Sequence, residues 1–587
     1  MTENKEHKKL GTNRIEQNKL EDNKHEPNKS EQMNHEHNKP DEDLFWADNI
    51  AKEVIERCEN DPVLKAIVKK QGYLVYDEKT PSGIIHIGSG RGWVIHDAIA
   101  KALRKQGVKA KFVLSSDDID PYDKPNKDLP STFDKYLGMP FRNIPSPVEG
   151  YKSFADYFFR QSTDKFEEFG IEAELASTGD DYNNGVFNKA IKILLDNAEK
   201  VNNIYERFYG KAPDKLPFNP ICEKCGKIAT TRAISWDTTR EMLKYRCEED
   251  LVEWAKGCGH SGEISPYNGN GKFPWKVEWP AKWFSKGVVC EYAGKDHFTK
   301  GGSRSIGIAI SDEILDYMPP YPSSRREIGS AYEFFTIEGS KMSTSKGKGI
   351  SFADSTDYLP APIIRYLLIA TRPRAVIDFN PIGTNDVILL FERFDKTERI
   401  YFGKEELTNE KEAMQHKRTY ELAYIGKIPK TMPIQIPFLH ASLVVQSAPD
   451  EEKAIKILQN QGMIPKKASK KELESVKLRL KFAKKWIERF APEQFKFQIQ
   501  ESVDDSKLSE KEKNAFRMLA DSLKNNEYDE KSLHLEFGRI SEQIGLDIKE
   551  FYKAAYLVLL NKERGPKLAS LIITVGSQKI IELLEKI

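Results

Sequence analysis

A glycine-rich segment between two strand-like segments does most to restrict the fold of this chain. The apolar run YLVY (73–76) predicts a buried strand, and TPSGIIHIGSGRG (80–92) follows it. The segment WVIHDAIAKALRKQ (93–106) predicts an amphipathic helix, and AKFVLSSDD (110–118) predicts the next strand. Together they form a βαβ unit, which implies a parallel sheet covered by helices. Ligands of such sheets bind at the carboxyl ends of the strands, where the glycine-rich segment would lie.

The glycine-rich segment itself is typical of an anion-binding helix start. Its glycines would let a ligand approach the backbone closely. The helix that follows would present free N–H groups and the positive end of its dipole. His86 can donate a hydrogen bond to a phosphate oxygen, and Arg91 adds positive charge. The segment matches neither GxGxxG nor GxxxxGK[ST], so a purely structural glycine turn is an equal alternative for this segment alone.

A second unusual segment, KMSTSKGKG (341–349), follows the strand-like stretch YEFFTI (332–337). Its lysines and hydroxyls can stabilise charge that spreads over a polyphosphate as a bond breaks. Its glycines would allow it to close over a ligand. Alone, this segment is more typical of a solvated lysine loop. Considered together, the two segments predict one nucleotide held between distant parts of a single sheet.

The two segments resemble the paired motifs of class I aminoacyl-tRNA synthetases. HIGS (86–89) resembles the first motif and KMSTS (341–345) the second. Ser89 stands where the first motif usually has its second histidine, and Thr344 where the second usually has a lysine. Further segments resemble the class I lysyl-tRNA synthetases, from about residue 45 to the C-terminus: TPSGIIHIG (80–88), YLGMPFRNIPSP (136–147), VEWPAKW (277–283), AGKDH (293–297), YEFFTIEGSKMSTSKG (332–347) and ERGPKLASLI (563–572).

The resemblance implies a particular domain order. We expect an α/β Rossmann-type catalytic domain with a parallel sheet, an inserted zinc-containing connective domain and an all-α C-terminal anticodon-binding domain. The expected boundaries are 43–118 and 284–365 for the two catalytic halves, 119–283 for the insertion, 366–445 for a stem-contact region and 446–587 for the helical domain.

The resemblance also implies a reaction. ATP with Mg²⁺ would activate L-lysine as an adenylate, and the lysyl group would pass to the 2′-hydroxyl of the terminal adenosine of tRNA(Lys). Such catalysis depends on positioning and on stabilising phosphate charge. The candidate catalytic residues are His86, Ser89, Lys341, Ser343, Ser345 and Lys346. The candidate ATP-binding residues are Pro81, Gly83, His86, Gly88, Ser89, Lys341, Met342 and Ser343.

A bound lysine needs partners for its ammonium, because burying an unpaired charge is costly. Position within the matching segments implies these pocket residues: Thr80, Trp283, Asp296, His297 and Tyr332. Asp296 and Glu78 are candidate countercharges, although the family usually has a glycine where Glu78 stands. We interpret Trp279 as ordinary core packing.

Four of the six cysteines lie in a pattern typical of structural zinc. The favoured ligands are Cys222, Cys225, Cys247 and Cys258, with His260 as a substitute for one of them. Reduced thiols without a metal are the alternative. Cys58 and Cys290 occur in helix-like and strand-like contexts, where we expect buried, small apolar side chains.

The two ends of the chain have their own character. A polar pentad recurs from Glu16, so we expect a disordered tail at 1–42. Near the other end, KLRLKFAKKWIERF (477–490) surrounds a helix with lysines and also carries Trp486 and Phe490. Lysines can contact phosphates and aromatic rings can stack on unpaired bases, which would suit an anticodon loop. A solvated charged helix is an equal alternative.

Composition limits the remaining choices. The chain of 587 residues is 39% hydrophobic and 31% charged with a net charge of +1, so a nucleic acid would have to meet local basic patches. It contains no apolar run long enough for a membrane span and no signal core, so we expect a cytoplasmic monomer. The alternatives are a glutamyl- or arginyl-type class I synthetase and a non-catalytic tRNA-binding paralogue. Retention of His86, Lys341, Ser343 and Ser345 argues against the paralogue.

Overall fold

The computed structural model describes residues 44–299, 301–323, 331–341 and 350–587. The tail predicted at 1–42 lies outside these ranges. The α-helices are, in chain order, α1 (Trp46–Asn60), α2 (Pro62–Gln71), α3 (Ile87–Lys105), α4 (Phe154–Thr163), α5 (Thr178–Asn183), α6 (Asn188–Asp196), α7 (Ala198–Tyr209), α8 (Trp275–Lys286), α9 (Ser303–Glu313), α10 (Ala361–Ala370), α11 (Asp386–Tyr401), α12 (Glu410–Ala423), α13 (Phe438–Ser447), α14 (Glu451–Asn460), α15 (Lys470–Arg489), α16 (Glu510–Asn525), α17 (Glu530–Ile544), α18 (Ile548–Leu560), α19 (Leu568–Val575) and α20 (Ser577–Leu584).

Strands and short 3-10 helices complete the regular structure. The strands are β1 (Tyr73–Lys79), β2 (Ala110–Ser116), β3 (Ala173–Ser177), β4 (Asn219–Pro220), β5 (Thr231–Asp237), β6 (Met242–Cys247), β7 (Ser261–Ile264), β8 (Gly271–Lys272), β9 (Val288–Cys290), β10 (Phe335–Ile337), β11 (Ser340–Lys341) and β12 (Ile377–Asp378). The 3-10 helices span Ser131–Tyr136, Phe141–Asn143, Lys295–Phe298, Ala353–Asp357, Glu493–Phe495 and Asp505–Lys507.

The core of the chain is a four-stranded parallel sheet in the order β3–β2–β1–β9. In the central pair, Tyr73 lies opposite Ala110 and Lys79 lies opposite Ser116. The helix α3 connects these two strands and packs against both of them. The predicted βαβ unit and the parallel α/β core are therefore confirmed.

The strand that precedes the lysine-rich segment belongs to a different sheet. β10 pairs in antiparallel fashion with β11 and in parallel fashion with β12. One parallel bridge, between Gly294 and Tyr332, joins this region to the chain that leaves β9. The expectation that both phosphate-binding segments come from a single sheet is wrong, because β10 finds its hydrogen-bond partners in its own small sheet.

The chain between β2 and β9 contributes further structure beside the main sheet. β5, β6 and β7 form a three-stranded antiparallel sheet, and β4 pairs with β8. A separate aromatic cluster forms around Tyr122, Phe141 and Phe154. The last helix before β9, α8, packs against α9. The predicted limits of the insertion, 119–283, stay a prediction.

The C-terminal region is helical, as predicted. Phe438 of α13 stacks on Phe391 at 4.1 Å between ring centroids and packs on Trp486 at 5.6 Å. These contacts join α13 and α15 to the core of the preceding region, whereas α16–α20 bury a second core of their own. Trp486 and Phe490 are both buried, so the suggestion that they stack on bases is wrong.

Local sequence explains where several of these helices begin. α15 and α16 start with capping boxes, Ser469 with Glu472 and Ser509 with Glu512, which satisfy backbone N–H groups at the first turn. Within the residues described, no helix is long and apolar enough to cross a bilayer.

Candidate active site

The start of α3 is shaped by a histidine that lies over a glycine. His86 is the N-cap of α3 and has an extended backbone conformation. A Cβ atom on Gly88 would lie 2.8 Å from ring atoms of His86, so only glycine leaves room for the imidazole there. The first turn of α3 contains no acidic residue. The helix dipole and the half-buried imidazole therefore face a place suited to an anion.

The chain that leaves the lysine-rich segment is hydrogen-bonded to this helix start. The N–H of Ile87 donates to the carbonyl oxygen of Ile350 over 3.0 Å, and the N–H of Phe352 donates to the carbonyl oxygen of Ile85 over 2.8 Å. An antiparallel bridge between His86 and Ser351 completes the pairing.

The chain that approaches the lysine-rich segment also reaches α3. A Cβ atom on Gly88 would lie 3.8 Å from Cβ of Phe335, the first residue of β10. The hydroxyl of Tyr332 lies 3.0 Å from the position of a Cβ atom on Gly92. Both flanks of the segment therefore meet the start of α3. The side chain of Lys341 and the whole of Met342, Ser343, Ser345 and Lys346 lie outside the described residues, so their predicted roles stay predictions.

Two of the predicted ligand-facing glycines have a packing role instead. A Cβ atom on Gly90 would lie 2.3 Å from the ring of Phe352, and Gly92 faces Tyr332. Phe352 is fully buried and packs on Trp93 and Phe169. These glycines let α3 approach the chain that flanks the lysine-rich segment. The expectation that they serve ligand approach is wrong.

Arg91 does not contribute charge to a ligand site, contrary to the prediction. Its side chain is fully buried. One terminal nitrogen donates to the carbonyl oxygens of Glu333 and Phe334 at 2.7 and 3.2 Å. The other donates to the carbonyls of residues 372, 373 and 375 at 2.6–3.2 Å. Arg91 thus ties α3 to the chain that leads into β10.

A cavity of about 140 Å³ lies beside the start of α3, at the carboxyl ends of β1 and β9. Of the predicted residues, Glu78, Ser89, His297 and Tyr332 line it. The remaining walls are carboxyl groups, aromatic rings, one lysine and the backbone after β9: Asp77, Glu291, Trp93, Trp275, Trp279, Tyr292, Lys79, Ala293 and Gly294. Burial raises the pKa values of Asp77, Glu78 and Glu291. Carboxyl groups and aromatic rings in the same walls could together hold a cation with an apolar stem.

The other predicted pocket residues lie around this cavity rather than along it. The hydroxyl of Thr80 donates to Asp120 over 2.9 Å and borders a neighbouring cavity of about 430 Å³. The indole N–H of Trp283 donates to Glu291. Asp296 lies in the 3-10 helix Lys295–Phe298. Pro81 and Gly83 lie in the turn before α3, where the position of a Cβ atom on Gly83 is 3.1 Å from the Asn126 side chain.

A buried arginine supports the aromatic wall. The guanidinium carbon of Arg304 lies 5.0 Å from the ring centroid of Trp279 and 4.6 Å from that of Trp283. The ring of His297 contacts Trp279 at 5.4 Å between centroids. Trp279 is thus buried, as interpreted, but it also forms part of the cavity wall. Trp275, which the sequence reasoning did not single out, stacks on it at 4.9 Å.

Next to the cavity lies a buried network of six charged side chains: Lys272, Lys282, Glu78, Asp117, Asp120 and Glu278. The Lys272 ammonium lies 2.8 Å from Glu278 and 3.3 Å from Asp117. The Lys282 ammonium lies 3.1 Å from Glu278 and contacts Glu78. Burial alone would lower the pKa of Lys282, but the surrounding carboxylates raise it, so Lys282 stays charged. The sequence reasoning missed both lysines. Glu278 and Lys282, four apart on one helix, were the available signal.

The four predicted cysteines come together in the insertion. Their sulfur atoms all lie within 4.8 Å of one another, with 3.6 Å between Cys222 and Cys258 and 3.7 Å between Cys225 and Cys247. Zn–S bonds of 2.3 Å in a tetrahedron give edges of about 3.8 Å, so this donor set fits zinc. His260 lies outside the cluster, with Nε2 4.0 Å from Glu223. Cys58 and Cys290 are buried, as expected.

Comparisons with known proteins agree with this architecture. The model of the family "tRNA synthetases class I (K)" matches residues 44–426. A lysine–tRNA ligase of Methanocaldococcus jannaschii is 32% identical over 553 residues, which cover 92% of this chain and 99% of that protein. Lysine–tRNA ligases of Archaeoglobus fulgidus and Pyrococcus horikoshii are 31% and 32% identical, each over 92% of this chain and 99% of their own.

The chain thus has a parallel α/β core in which a glycine-rich helix start meets both flanks of a lysine-rich segment. With the family model matching most of its length, the chain belongs to the class I (K) tRNA synthetase family.

Proposed function

We propose that this chain is a lysine–tRNA ligase, which activates L-lysine with ATP and transfers it to tRNA(Lys). The observation that carries the proposal is the junction of three features at one place. The start of α3 is hydrogen-bonded to the chain leaving the lysine-rich segment. Ser89 of α3, and Tyr332 on the chain that approaches the segment, line an acid-lined aromatic cavity. The relatives named above, which carry this activity in their names, support it.

In the proposed first step, the lysine carboxylate attacks the α-phosphorus of ATP. A bond forms between a carboxylate oxygen and phosphorus, the bond to the β-phosphate oxygen breaks, and pyrophosphate leaves with the electron pair. His86, Ser89 and the positive end of α3 would hold the phosphates. Lys341, Ser343, Ser345 and Lys346 would stabilise the departing charge. Mg²⁺ would arrive with ATP, bound mainly by phosphate oxygens.

The amino acid would occupy the cavity of about 140 Å³. Its aromatic walls offer cation–π contacts to an ammonium, and its carboxyl groups offer countercharge. Tyr332 and His297 are the predicted pocket residues with the most direct support, since they line the cavity. Thr80, Trp283 and Asp296 would act from the surrounding shell of side chains.

In the second step, the 2′-hydroxyl of the terminal adenosine of tRNA(Lys) would attack the lysyl carbonyl and release AMP. The helical C-terminal region would bind the anticodon arm, and Lys481 and Lys484 are exposed on α15 for phosphate contacts. A cytoplasmic location and a monomeric state are further parts of the proposal.

Zinc would be bound by the four clustered cysteines as a structural ion. It would connect the turn after β4, the end of β6 and the loop before β7. It would supply no step of the reaction, because neither activation nor transfer needs a Lewis acid in the insertion.

The test is ATP–pyrophosphate exchange with each protein amino acid in turn, with and without tRNA. Exchange that depends on lysine supports the proposal. Exchange with glutamate or arginine instead would assign the chain to another class I specificity. Binding of tRNA without exchange for any amino acid would make it a non-catalytic paralogue.

A further inference from the structure

A short hairpin leads into the lysine-rich segment. Its strands β10 and β11 pair in antiparallel fashion, with Thr336 opposite Lys341. Glu338 and Gly339 form the two-residue turn, and their φ angles of 52° and 68° both lie in the left-handed region. This conformation costs a residue with a side chain about 1–2 kcal/mol, and a two-stranded hairpin is at best marginally stable by itself. The hairpin therefore needs support from neighbouring residues.

Asp378 supplies such support from the adjacent strand, β12, where it lies beside Thr336 in the parallel register. Its Oδ1 atom accepts two hydrogen bonds, from the hydroxyl of Thr336 over 2.8 Å and from the N–H of Gly339 over 3.0 Å. The hydrogen bond from Gly339, followed by that from Thr336, lowers the pKa of Asp378, so both bonds are made to a charged acceptor. Asn380 adds a third contact by donating to Glu338 over 2.9 Å. One carboxylate oxygen thus holds both a strand and the turn of the hairpin.

The strands of this small sheet are also anchored to α3. Arg91 of α3 donates to backbone carbonyl oxygens within 372–375, on the chain that leads into β12. It donates as well to the carbonyl oxygens of residues 333 and 334, which lead into β10. Arg91 therefore fixes where the two strands begin relative to α3, and Asp378 fixes where the hairpin turns. Together these contacts determine where the backbone of Lys341 lies relative to the start of α3.

We propose that Asp378 is a positioning residue for adenylate formation, because it holds the hairpin that places Lys341 at the ATP phosphates. This inference rests on the proposed lysine–tRNA ligase activity, in which Lys341 stabilises the departing pyrophosphate. Asp378 acts through the hairpin and does not touch the reacting atoms. Stabilisation of a departing phosphate depends on where the positive charge is placed. A hairpin without this support would therefore slow the chemical step and leave the binding of lysine unchanged.

Asp378→Ala tests the proposal, because it removes the acceptor at an exposed position and so leaves no buried cavity. In lysine-dependent ATP–pyrophosphate exchange with tRNA present, we expect kcat to fall about tenfold or more and the KM for lysine to stay unchanged. Asp378→Asn keeps an acceptor oxygen, so its kcat should stay within about threefold of the wild type. A residue with a structural role alone would lower the melting temperature and leave the kcat of the folded enzyme unchanged.

Asp237→Ala is the matched control. Oδ1 of Asp237 accepts hydrogen bonds from the N–H groups of Thr239 and Arg240, each over 3.0 Å, at the turn between β5 and β6. Asp237 thus holds a different hairpin turn through the same kind of contact. Its loss should leave kcat for exchange unchanged, and a loss of kcat equal to that of Asp378→Ala would overturn the proposal.

A kcat within about twofold of the wild type in Asp378→Ala would also overturn the proposal. So would equal losses in Asp378→Ala and Asp378→Asn, since asparagine retains the acceptor. If Asp378→Ala does not fold, Thr336→Val takes its place, because it removes one donor and keeps the shape of the side chain. Its kcat should fall about threefold or more, and an unchanged kcat would count against the proposal in the same way. Absence of lysine-dependent exchange in the wild type would instead overturn the proposed function, so the two failures are distinguishable.

Discussion

The N–H of Ile87 donates to the carbonyl oxygen of Ile350 over 3.0 Å. Ile87 is the first residue of α3, and Ile350 is the first described residue after the lysine-rich segment. Two stretches more than 250 positions apart in the sequence are therefore joined backbone to backbone. This junction places the exit of the lysine-rich segment beside His86, where the ATP phosphates would bind.

His86→Ala should slow lysine-dependent ATP–pyrophosphate exchange by about 100-fold or more, because it removes a hydrogen-bond donor positioned for the phosphates. The measurement is the exchange rate at saturating ATP and lysine. Far-UV circular dichroism should show an intact fold. His440→Ala, at a histidine of α13 bonded to Gln461, is the control and should leave the rate unchanged. A His86→Ala rate close to that of the wild type would contradict the phosphate role.

Gly90→Ala should destabilise the protein by about 1–3 kcal/mol, because the new methyl group would lie 2.3 Å from the ring of Phe352. The matched control is Gly538→Ala in α17, where a Cβ atom would have open space. That change should stabilise by up to about 1 kcal/mol, as expected for alanine in a helix. Urea unfolding of both variants gives the comparison. Equal effects on the urea midpoint would contradict the packing role of Gly90.

Stability should fall as the pH is lowered through a range set by His96. Nδ1–H of His96 donates to the carbonyl of Gly92, and Nε2 accepts from the N–H of Tyr292, so the buried ring is neutral. Burial lowers the pKa of His96 from 6.5 to about 4. As the pH falls from 6.5 to about 4, His96 therefore binds a proton in the unfolded state but stays neutral in the folded state. Up to about 3 kcal/mol of stability is lost across that range.

His96→Gln isolates this contribution, because glutamine keeps one donor and one acceptor but has no proton to gain. The urea midpoint should fall less steeply with decreasing pH in the variant than in the wild type. Parallel pH profiles for the two proteins would contradict the assignment.

The purified chain should contain about one zinc ion per molecule, measured by elemental analysis after dialysis. Cys225→Ser should lower the zinc content and the melting temperature, because it removes one of four sulfur ligands. Cys290→Ala is the control, since Cys290 lies outside the cluster and should leave the zinc content unchanged. A zinc-free wild type grown with ample zinc would contradict the structural zinc site.

Much of the core could be predicted from the sequence because its signals are local. The order of strand, glycine turn, helix and strand within residues 73–118 predicts a parallel βαβ unit, because consecutive elements joined by short connections pack next to each other. The position of β10 could not be predicted in this way. Its partner β12 lies about 40 residues further along, and such pairing depends on how distant segments pack.

Part of the candidate site could also be predicted, because some of its residues belong to recognisable local segments. His297 and Tyr332 belong to segments with a family resemblance, and the structure brings both to the cavity. Arg91 was misassigned because a charged residue near a helix start is usually exposed, whereas here backbone carbonyls surround it. Lys272 and Lys282 were missed because burial of a lysine depends on carboxylates contributed by several separate segments.

The most direct test of the central claim is a crystal structure of the chain with a non-hydrolysable sulfamoyl analogue of lysyl-adenylate. The account predicts the sulfamoyl group within hydrogen-bond distance of the start of α3, near His86 and Ser89, with the lysyl side chain in the adjoining acid-lined cavity. An analogue bound elsewhere, with the start of α3 and the cavity both empty, would contradict it.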